Sequence, residues 1–501
     1  MASLGIYGSH DATVCIVTDS GAVRNYEWER WCGQRYARLG KKSDQTHRAF
    51  YEFIKEDSGV DSIDAAYWQL VHESHRAVLT EIFSVQRWQW MPHHPAHAYG
   101  SFVQSGLDRA LVVSIDGGGP DERSERRASF WKVFECSPGE CLEVSERLSN
   151  LGINYGMLAW PIKEIAKRGD RMTAFLQSAG KLMGLSAYGK ARPEWLEPVE
   201  KYLLQQGIGV NVVGLRILEG LFPIERDALE GTDAQDLAAT AQVAFQKIVR
   251  ESIGTDLPII LTGGCAMNVL GNEDIRRNVG PVYVPPAPGD CGLAYGMVAL
   301  GEKLTASPPQ QYSGLPILGK VPGGEGVVDL AERLARGQII GVMRGRSEHG
   351  PRALGNRSIL CDPSTPRIKE RLNESVKFRE WFRPYAPMCP LEVANEYFDF
   401  DGDSPYMSFA PVVRPQWRER LAGITHVDGT ARLQTVTPEQ NPWLHELLFK
   451  FGAITGHACL LNTSLNIRGR PIVARAADAL EILDETALDA LVIEDRIFEG
   501  A

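Results

Sequence analysis

The stretch HHPAHA (His93–Ala98) places three histidines within five residues of a chain that holds eleven in all. Imidazole changes charge near neutral pH and is a common metal ligand, so the stretch reads either as part of a metal site or as a polar helix start. Pro95 suits the first helical position and biases His94 out of the helix. This predicts His93 just before the helix and His97 just inside it, with the rings converging only if other residues fix the chain entry. His10 lies beside Asp11 in GSHDA (Gly8–Ala12), at a turn between two predicted strands. It is a candidate acid–base group, and a turn histidine without chemistry is the plainer alternative. Asp116 ends the apolar run ALVVSID and leads into Gly117, Gly118 and Gly119. A strand-end carboxylate there suits a cation that contacts phosphates, or a simple β-turn. Asp290, in PGDCGLAYG, precedes a small-residue helix; taken singly it reads first as a helix cap and second as a metal ligand. TGGCAMN (Thr262–Asn268) follows a strand and opens a helix, so the backbone at Gly263 and Gly264 can meet an anion, with Asn268 facing the same crevice.

A second chemistry is concentrated in the last third of the chain. Arg344, Arg346, Arg352, Arg357, Arg367, Lys369, Arg371, Lys377, Arg379 and Arg383 crowd one segment, and Arg432, Asn462, Ser464 and Asn466 follow. Guanidinium forks, an ammonium and small polar groups are the chemistry of a triphosphate or acyl-phosphate pocket; a solvated basic face is the bland alternative. GLSAYGKA (Gly184–Ala191) imitates a P-loop but carries Ala191 where the metal-binding hydroxyl belongs, and no strand is predicted before it, so it is rejected as one.

These residues need scaffolds. The opening reads strand, turn, strand, turn, strand, with Ser20-Gly21 as a hairpin turn. ALVVSID and LPIILTGG read as buried strands. DLAATAQVAFQKIV shows a helical apolar face through Leu237, Ala241, Ala244, Phe245 and Ile248, with Asp233 or Asp236 as its cap. GDCGLAYGMVALGEKL reads as a small-residue helix whose backbone a neighbour can approach closely. The Pro/Gly-rich stretch 307–326 reads as a linker, followed by a helix and a strand that open a second domain. No fixed-period repeat is visible in the sequence.

Length, 501 residues, predicts several domain-sized units. No apolar run approaches the roughly 20 residues of a membrane span. The first residues lack the basic leader and apolar core of a signal peptide. Nine scattered cysteines, an odd number, do not form a disulfide framework, so a cytoplasmic location is expected. The net charge of −10 disfavours a nucleic-acid partner.

Read together and in order, GSHDA, HHPAHA, SIDGGG, GKLMGLSAYGK, TGGCAMN, PPAPGDCGLAYG, EHGPRALGNRSIL, KFREWFRPYAP, GTARLQTV and LNTSLNIRGRPIV resemble the NodU/CmcH carbamoyltransferase family of nodulation and antibiotic O-carbamoyltransferases. The resemblance implies an α/β protein of two catalytic domains: an actin/sugar-kinase-like domain over 1–306, the linker 307–326, and a YrdC-like domain over 327–501. It implies that the second domain takes carbamoyl phosphate and ATP, with magnesium, through loss of phosphate to carbamoyl-adenylate and pyrophosphate. The first then passes the carbamoyl group to a hydroxyl of a small molecule. By the same resemblance His93, His97, Asp116 and Asp290 match metal ligands, His10 a transfer-site histidine, and Arg352, Lys377, Arg432 and Asn462 phosphate-handling positions. Arg383, Ser464 and Asn466 join them on side-chain chemistry. Two imidazoles with two carboxylates suit Fe(II), Mn(II) or Zn(II), and the resemblance favours Fe(II). Two features depart from the family pattern: EWERWCGQRYARLGKK follows it loosely, and Arg470 stands where a Glu is expected. No membrane partner is expected, and a monomer or homodimer is. The competing readings are a tRNA-directed threonylcarbamoyl transferase and a non-catalytic nucleotide-binding module of the actin-like type.

Overall fold

The computed structural model describes residues 2–500 except 124–127, 166–170, 207–211, 324, 327–328 and 468. The chain divides into two compact units, the first made of Met1–Cys32 and Tyr36–Gln310, the second of Gly33–Arg35 and Gln311–Ala501. Both are mixed α/β.

The first unit holds two five-stranded sheets. One is built from β1 (Ser3–Tyr7), β2 (Thr13–Val17), β3 (Val23–Glu27), β4 (Ala65–Gln69) and β5 (Trp88–Trp90), in the order β3-β2-β1-β4-β5. The other is built from β6 (Ala110–Gly119), β7 (Ser129–Ser137), β8 (Glu140–Arg147), β9 (Ile259–Thr262) and β10 (Val282–Tyr283), in the order β8-β7-β6-β9-β10. In each, the first three strands form an antiparallel meander and the last two join parallel on the other side of the first. The same topology is therefore used twice, a repeat of architecture that leaves no period in the sequence.

Two helices share a core with both sheets. The histidine helix (His93–Ser105) and the small-residue helix (Leu293–Gly301) bury Ala98, Tyr99, Phe102, Ala294 and Tyr295 together with Cys15 of one sheet and Val112, Phe134 and Ile260 of the other. Their backbones nearly touch: a Cβ on Gly296 would lie 2.3 Å from the Ala96 carbonyl oxygen, and one on Gly100 would lie 2.6 Å from the Gly296 Cα. Any side chain at either position forces the helices apart. The close approach expected from GDCGLAYG is present, and it fixes the helix that carries His93 and His97.

The helix Gly231–Glu251 buries Leu237, Ala241, Ala244, Phe245 and Ile248 as its periodicity predicts, but neither expected aspartate caps it. Asp236 accepts the Lys190 N–H at 2.8 Å and the Arg192 Nε at 2.9 Å, and Asp233 pairs with Arg192. The helix starts at Gly231, so both aspartates lie inside it, where they serve the Arg192 guanidinium instead.

The second unit is an eight-stranded mixed sheet of β11 (Glu325–Gly326), β12 (Ile340–Met343), β13 (Arg357–Cys361), β14 (Ala386–Pro390), β15 (Gln434–Val436), β16 (Leu460–Ser464), β17 (Ala490–Ile493) and β18 (Arg496–Glu499), in the order β11-β18-β17-β12-β13-β16-β14-β15. One core packs Leu444, Leu448 and Phe451 of the helix Pro442–Thr455 against Val342, Leu360, Met388, Leu460 and Val492. Pro442 opens that helix and the Asn441 side chain accepts the Leu444 N–H at 3.0 Å, a regular cap. The stretch expected to be a linker is partly built into this unit. The Gly314 N–H donates to the Ser347 carbonyl at 3.0 Å and the Leu318 N–H to that of Ala474 at 2.8 Å, so its Pro/Gly content shapes packed irregular chain.

Candidate metal centre and cationic pocket

The histidine helix starts at His93 itself, with Pro92 as its N-cap. The expectation that Pro95 would leave His93 and His94 outside the helix is corrected. The first N–H groups of a helix have no intrahelical acceptor, so a proline at the third position loses no bond. His93 and His97 are thus a true i, i+4 pair, with ring centroids 4.8 Å apart. The entry is anchored by the His93 N–H on the Pro120 carbonyl at 3.2 Å and the His94 N–H on Asp121 Oδ1 at 2.8 Å.

Asp116 arrives from β6, and its Oδ2 accepts the Gly264 N–H at 2.5 Å. Asp290 opens a short turn before the small-residue helix without capping it; its Oδ2 instead accepts the Tyr7 hydroxyl. His93 Nε2 lies 3.7 Å from Asp116 Oδ1 and 3.7 Å from Asp290 Oδ1. His97 Nε2 lies 3.7 Å from Asp116 Oδ2 and 3.4 Å from Asp290 Oδ1. Two atoms each about 2.0–2.2 Å from one ion lie roughly 3–4.4 Å apart, and these separations of 3.4 and 3.7 Å fall inside that range. His93 Nε2, His97 Nε2 and Asp290 Oδ1 are buried and without a hydrogen-bond partner. Such atoms are costly to bury unmatched, and a shared cation would satisfy all three. The donor set therefore fits a divalent metal of the Fe, Mn or Zn type. Gly119 makes the room: a Cβ there would lie 2.1 Å from the His93 ring.

Burial works against charge on Asp116 and Asp290. The neighbouring imidazoles nevertheless hold the Asp116 carboxyl well below the usual range and Asp290 below it. His10 joins the centre from the β1–β2 turn, with Nδ1 3.1 Å from Asp11 Oδ2 and Nε2 3.7 Å from Asp290 Oδ2. Its burial favours the neutral ring, but the Asp11 hydrogen bond and the Asp290 charge prevail and raise it to about 9. His94 is engaged elsewhere, on Ser114 Oγ at 2.8 Å.

The expected anion loop is not free to bind one. The Gly263 N–H donates to the Pro288 carbonyl at 2.8 Å and the Gly264 N–H is taken by Asp116. Asn268 caps the helix Val269–Asn278 through the Gly271 N–H at 2.9 Å and pairs with Gln242 at 3.1 Å. These three residues brace the Asp116 side of the centre.

In the second unit the basic crowd separates into two groups. Arg357 is fully buried and clamps the carbonyls of Arg344, Gly345 and Asn356. Arg344 pairs with Asp495, Arg371 with Asp489, and Lys369 holds the Thr425 carbonyl; these are structural. Glu348 Oε1 accepts the N–H groups of Leu354, Asn356 and Arg357, shaping the loop that presents Arg352.

Arg352, Lys377, Arg383 and Arg432 feel nearby cations, with Arg383 also 3.6 Å from Glu380. Burial, then the Arg35 charge, pushes Arg352 down to about 10; burial, then Arg379, pushes Arg383 to about 10. Burial with the Arg352, Arg379 and Arg383 charges drives Arg432 well down, and its Nε is buried without a partner. Lys377 is buried, and its ammonium donates to the carbonyls of Ser464 and Asn466 at 2.7 Å each and to Asn466 Oδ1 at 2.6 Å. Asn462 Nδ2 holds the Ala353 carbonyl and Gln434, while its Oδ1 has no partner. Arg352, Lys377, Arg383 and Arg432 thus form a mutually repelling cluster whose natural complement is a polyanion. Arg470, the departure from the family pattern, pairs with Glu481.

Three neighbours of these sites were not foreseen. Arg35 groups with the second unit, although it lies in the N-terminal segment that follows the family pattern loosely. Tyr7 and Gln69 are register partners at the ends of β1 and β4. The available signal for this pair was a buried polar residue ending each apolar strand.

The Carbamoyltransferase N-terminus family matches residues 61–299 and the Carbamoyltransferase C-terminus family residues 331–499. Nodulation protein NolNO of Sinorhizobium fredii is 31% identical, covering 97% of this chain and 78% of its own. Nodulation protein NolO of Bradyrhizobium diazoefficiens is 33% identical over 80% of this chain and 78% of its own. The 3'-hydroxymethylcephem-O-carbamoyltransferase of Streptomyces clavuligerus is 31% identical over 64% of this chain and 64% of its own. The chain belongs to the carbamoyltransferase family and is an enzyme of that class. Among the described residues no helix is long and apolar enough to cross a membrane.

Proposed function

We propose that the protein is an ATP-dependent O-carbamoyltransferase that acts on a hydroxyl of a small molecule through carbamoyl-adenylate. The observation that carries this reading is the pairing, in one chain, of a four-ligand candidate metal centre beside His10 with a cluster of buried cations that feel one another's charge. The second unit, read as YrdC-like, takes carbamoyl phosphate and ATP with magnesium. Arg352, Arg383 and Arg432 neutralise phosphate oxygens, and Lys377 adds charge while holding the Ser464–Asn466 turn. Water cleaves carbamoyl phosphate to carbamate and phosphate, a carbamate oxygen attacks the ATP α-phosphorus, and pyrophosphate leaves to give carbamoyl-adenylate. The first unit, read as actin/sugar-kinase-like from its twice-used sheet topology, receives the adenylate.

An alcohol is a poor nucleophile at neutral pH, so its attack requires a proton acceptor and stabilisation of developing negative charge. His10, oriented by Asp11 and raised against its burial to about 9 by Asp11 and Asp290, is the hydrogen-bond partner of that acceptor, or the acceptor itself once a cation offsets the Asp290 charge and frees its ring nitrogen. His93, His97, Asp116 and Asp290 would hold a divalent cation, which would supply Lewis-acid charge beside the transferring group. The acceptor gains the carbamoyl group and AMP leaves. The Streptomyces clavuligerus relative is named for a hydroxymethyl acceptor on an antibiotic nucleus, which supports an alcohol of secondary metabolism here.

Two substitutions test the division of labour. His10→Ala is expected to keep pyrophosphate release from ATP and carbamoyl phosphate while losing acceptor carbamoylation. Arg352→Ala is expected to lose pyrophosphate release first. Equal collapse of both activities in His10→Ala would refute the assignment. Salt-dependent tRNA binding would favour the threonylcarbamoyl alternative instead, against the net charge of −10.

A further inference from the structure

Gln69 ends β4 fully inside the first unit, 1% exposed, in a setting that leaves its amide no choice of orientation. Its Nε2 donates to the Met91 carbonyl at 2.8 Å and to the Pro120 carbonyl at 3.0 Å. Rotating the amide by half a turn would set its oxygen against two carbonyl oxygens and lose both bonds, so the network assigns the orientation. Oε1 therefore faces the His93 ring, 3.0 Å from Nδ1. An amide oxygen can only accept, so His93 Nδ1 carries a hydrogen. The Pro120 carbonyl also takes the His93 main-chain N–H, which ties the residue's backbone and ring to one frame. On the neighbouring strand Tyr7, the register partner of Gln69, holds Asp290.

We propose that Gln69 is a positioning residue that sets the tautomer of His93, keeping the proton on Nδ1 and the Nε2 lone pair directed at Asp116 and Asp290. The inference rests on the metal reading of that centre. Nothing needs to be moved or reprotonated on Nδ1 when a cation binds, because the only proton displaced from the ring is one on Nε2. Metal-bound imidazoles generally need such a partner on the other nitrogen, and its loss typically costs about 10- to 100-fold in metal affinity. The partner here is a neutral amide rather than a carboxylate, which fixes the ring without adding negative charge to a centre that already holds two aspartates.

The test uses the full-length, metal-free chain titrated with Co2+ without oxygen, in competition with a chelator, and followed by the cobalt d–d absorption. Gln69→Leu is expected to weaken Co2+ binding by about 10- to 100-fold and to shift the absorption bands. Gln69→Glu keeps an acceptor for Nδ1–H but sets a second oxygen, which must be protonated, against the Met91 and Pro120 carbonyls, so it is expected to bind Co2+ more tightly than Gln69→Leu and less tightly than the parent. Wild-type affinity and an unchanged spectrum in Gln69→Leu would overturn the proposal while leaving the metal centre standing. Failure of the parent to bind Co2+ would remove the metal reading and this inference with it. An independent measurement needs no variant. In the Zn2+-loaded parent with 15N-labelled histidine, His93 is expected to show a protonated Nδ1 and a metal-bound Nε2. Coordination through Nδ1 would refute the role of Gln69.

Discussion

The first unit gathers Asp116, Asp290 and their imidazoles into a buried centre whose unmatched atoms are acceptors. The second gathers Arg352, Lys377, Arg383 and Arg432 into a cluster whose charges repel one another. Both put like charges where the dielectric is low, which is unfavourable until an opposite charge arrives. They differ in how the unligated state is kept tolerable. In the metal centre nearly every ligand has a dedicated holder: Tyr7 on Asp290, the Gly264 N–H on Asp116, Gln69 on His93. In the cationic cluster Lys377 spends its donors on the turn at Ser464–Asn466, while Arg432 Nε is left without an acceptor. A small ion of fixed coordination calls for a rigid cage, and a polyphosphate that must enter and leave calls for charge concentrated in one place.

The largest effect should come from dismantling the cage. The double variant His93→Ala/His97→Ala, purified without oxygen, is expected to fall from about one equivalent of bound metal to near none by elemental analysis. Acceptor carbamoylation should drop by at least about 10³-fold, while pyrophosphate release stays within about threefold of the parent. A parallel loss of pyrophosphate release would show that the two sites do not divide the chemistry.

Arg432 offers a smaller effect with opposite signs in two measurements. Arg432→Met removes one charged contact to phosphate, worth about 1.5–3 kcal/mol, so adenylate formation is expected to fall by roughly 10- to 150-fold. The same change removes a buried, partly unpaired cation from a repelling cluster, so the unliganded protein should melt a few degrees higher (about 2–4 °C per kcal/mol for a unit of this size). In the cage the corresponding change, Asp116→Asn, is expected to weaken metal binding without that gain, because Asp116 is already held by the Gly264 N–H and two imidazoles. Scanning calorimetry with and without pyrophosphate checks both.

How much of this was legible in the sequence depended on whether a residue's partner is local. The turn position of His10 and the close helix packing at Gly296 follow from turn and glycine chemistry that a short window contains, whereas the strand expected to end at Asp116 runs on through the glycines to Gly119. What a window misses is competition from afar. Asp290 reads as a cap until Tyr7 takes its carboxylate, and Asp236 reads as a cap although the helix already starts at Gly231 and Asp236 holds Arg192 from inside it. Gly264 reads as an anion cradle until Asp116 occupies its N–H. HHPAHA was misread in its geometry because Pro95 was placed at the first helical position when it occupies the third, where it costs equally little. Ten neighbouring cations read as one pocket, yet tertiary acceptors draw off Arg344, Arg357, Lys369 and Arg371. The repeat of the two sheets left no trace because topology constrains strand order and direction, not residue identity.

The smallest expected effect concerns pH and separates the two centres without any substrate. Lys377 is held well below its ordinary value by burial first and then by the charges of Arg379, Arg383 and Arg35. A cation whose folded pKa is depressed binds fewer protons folded than unfolded. Its penalty is full at low pH and is relieved as pH rises toward the unfolded value of about 10.4. Asp116 and Asp290 are depressed carboxylates, whose contribution is complete above about pH 4 and is lost only as pH falls further. Between pH 7 and 10 the metal centre's carboxylates should therefore be silent, His10, raised to about 9, should lose its contribution as pH rises, and the second unit should gain stability. Lysines, tyrosines and cysteines elsewhere also titrate in that window, so the informative quantity is the difference in slope between the parent and Lys377→Met. The parent's melting temperature is expected to rise more steeply with pH. Saturating pyrophosphate should flatten the parent's slope, because an anion in the cluster restores the ammonium's preference for its proton. An equal slope in the two proteins would mean that Lys377 is already neutralised by its turn, and that the cluster's repulsion is borne by the arginines alone.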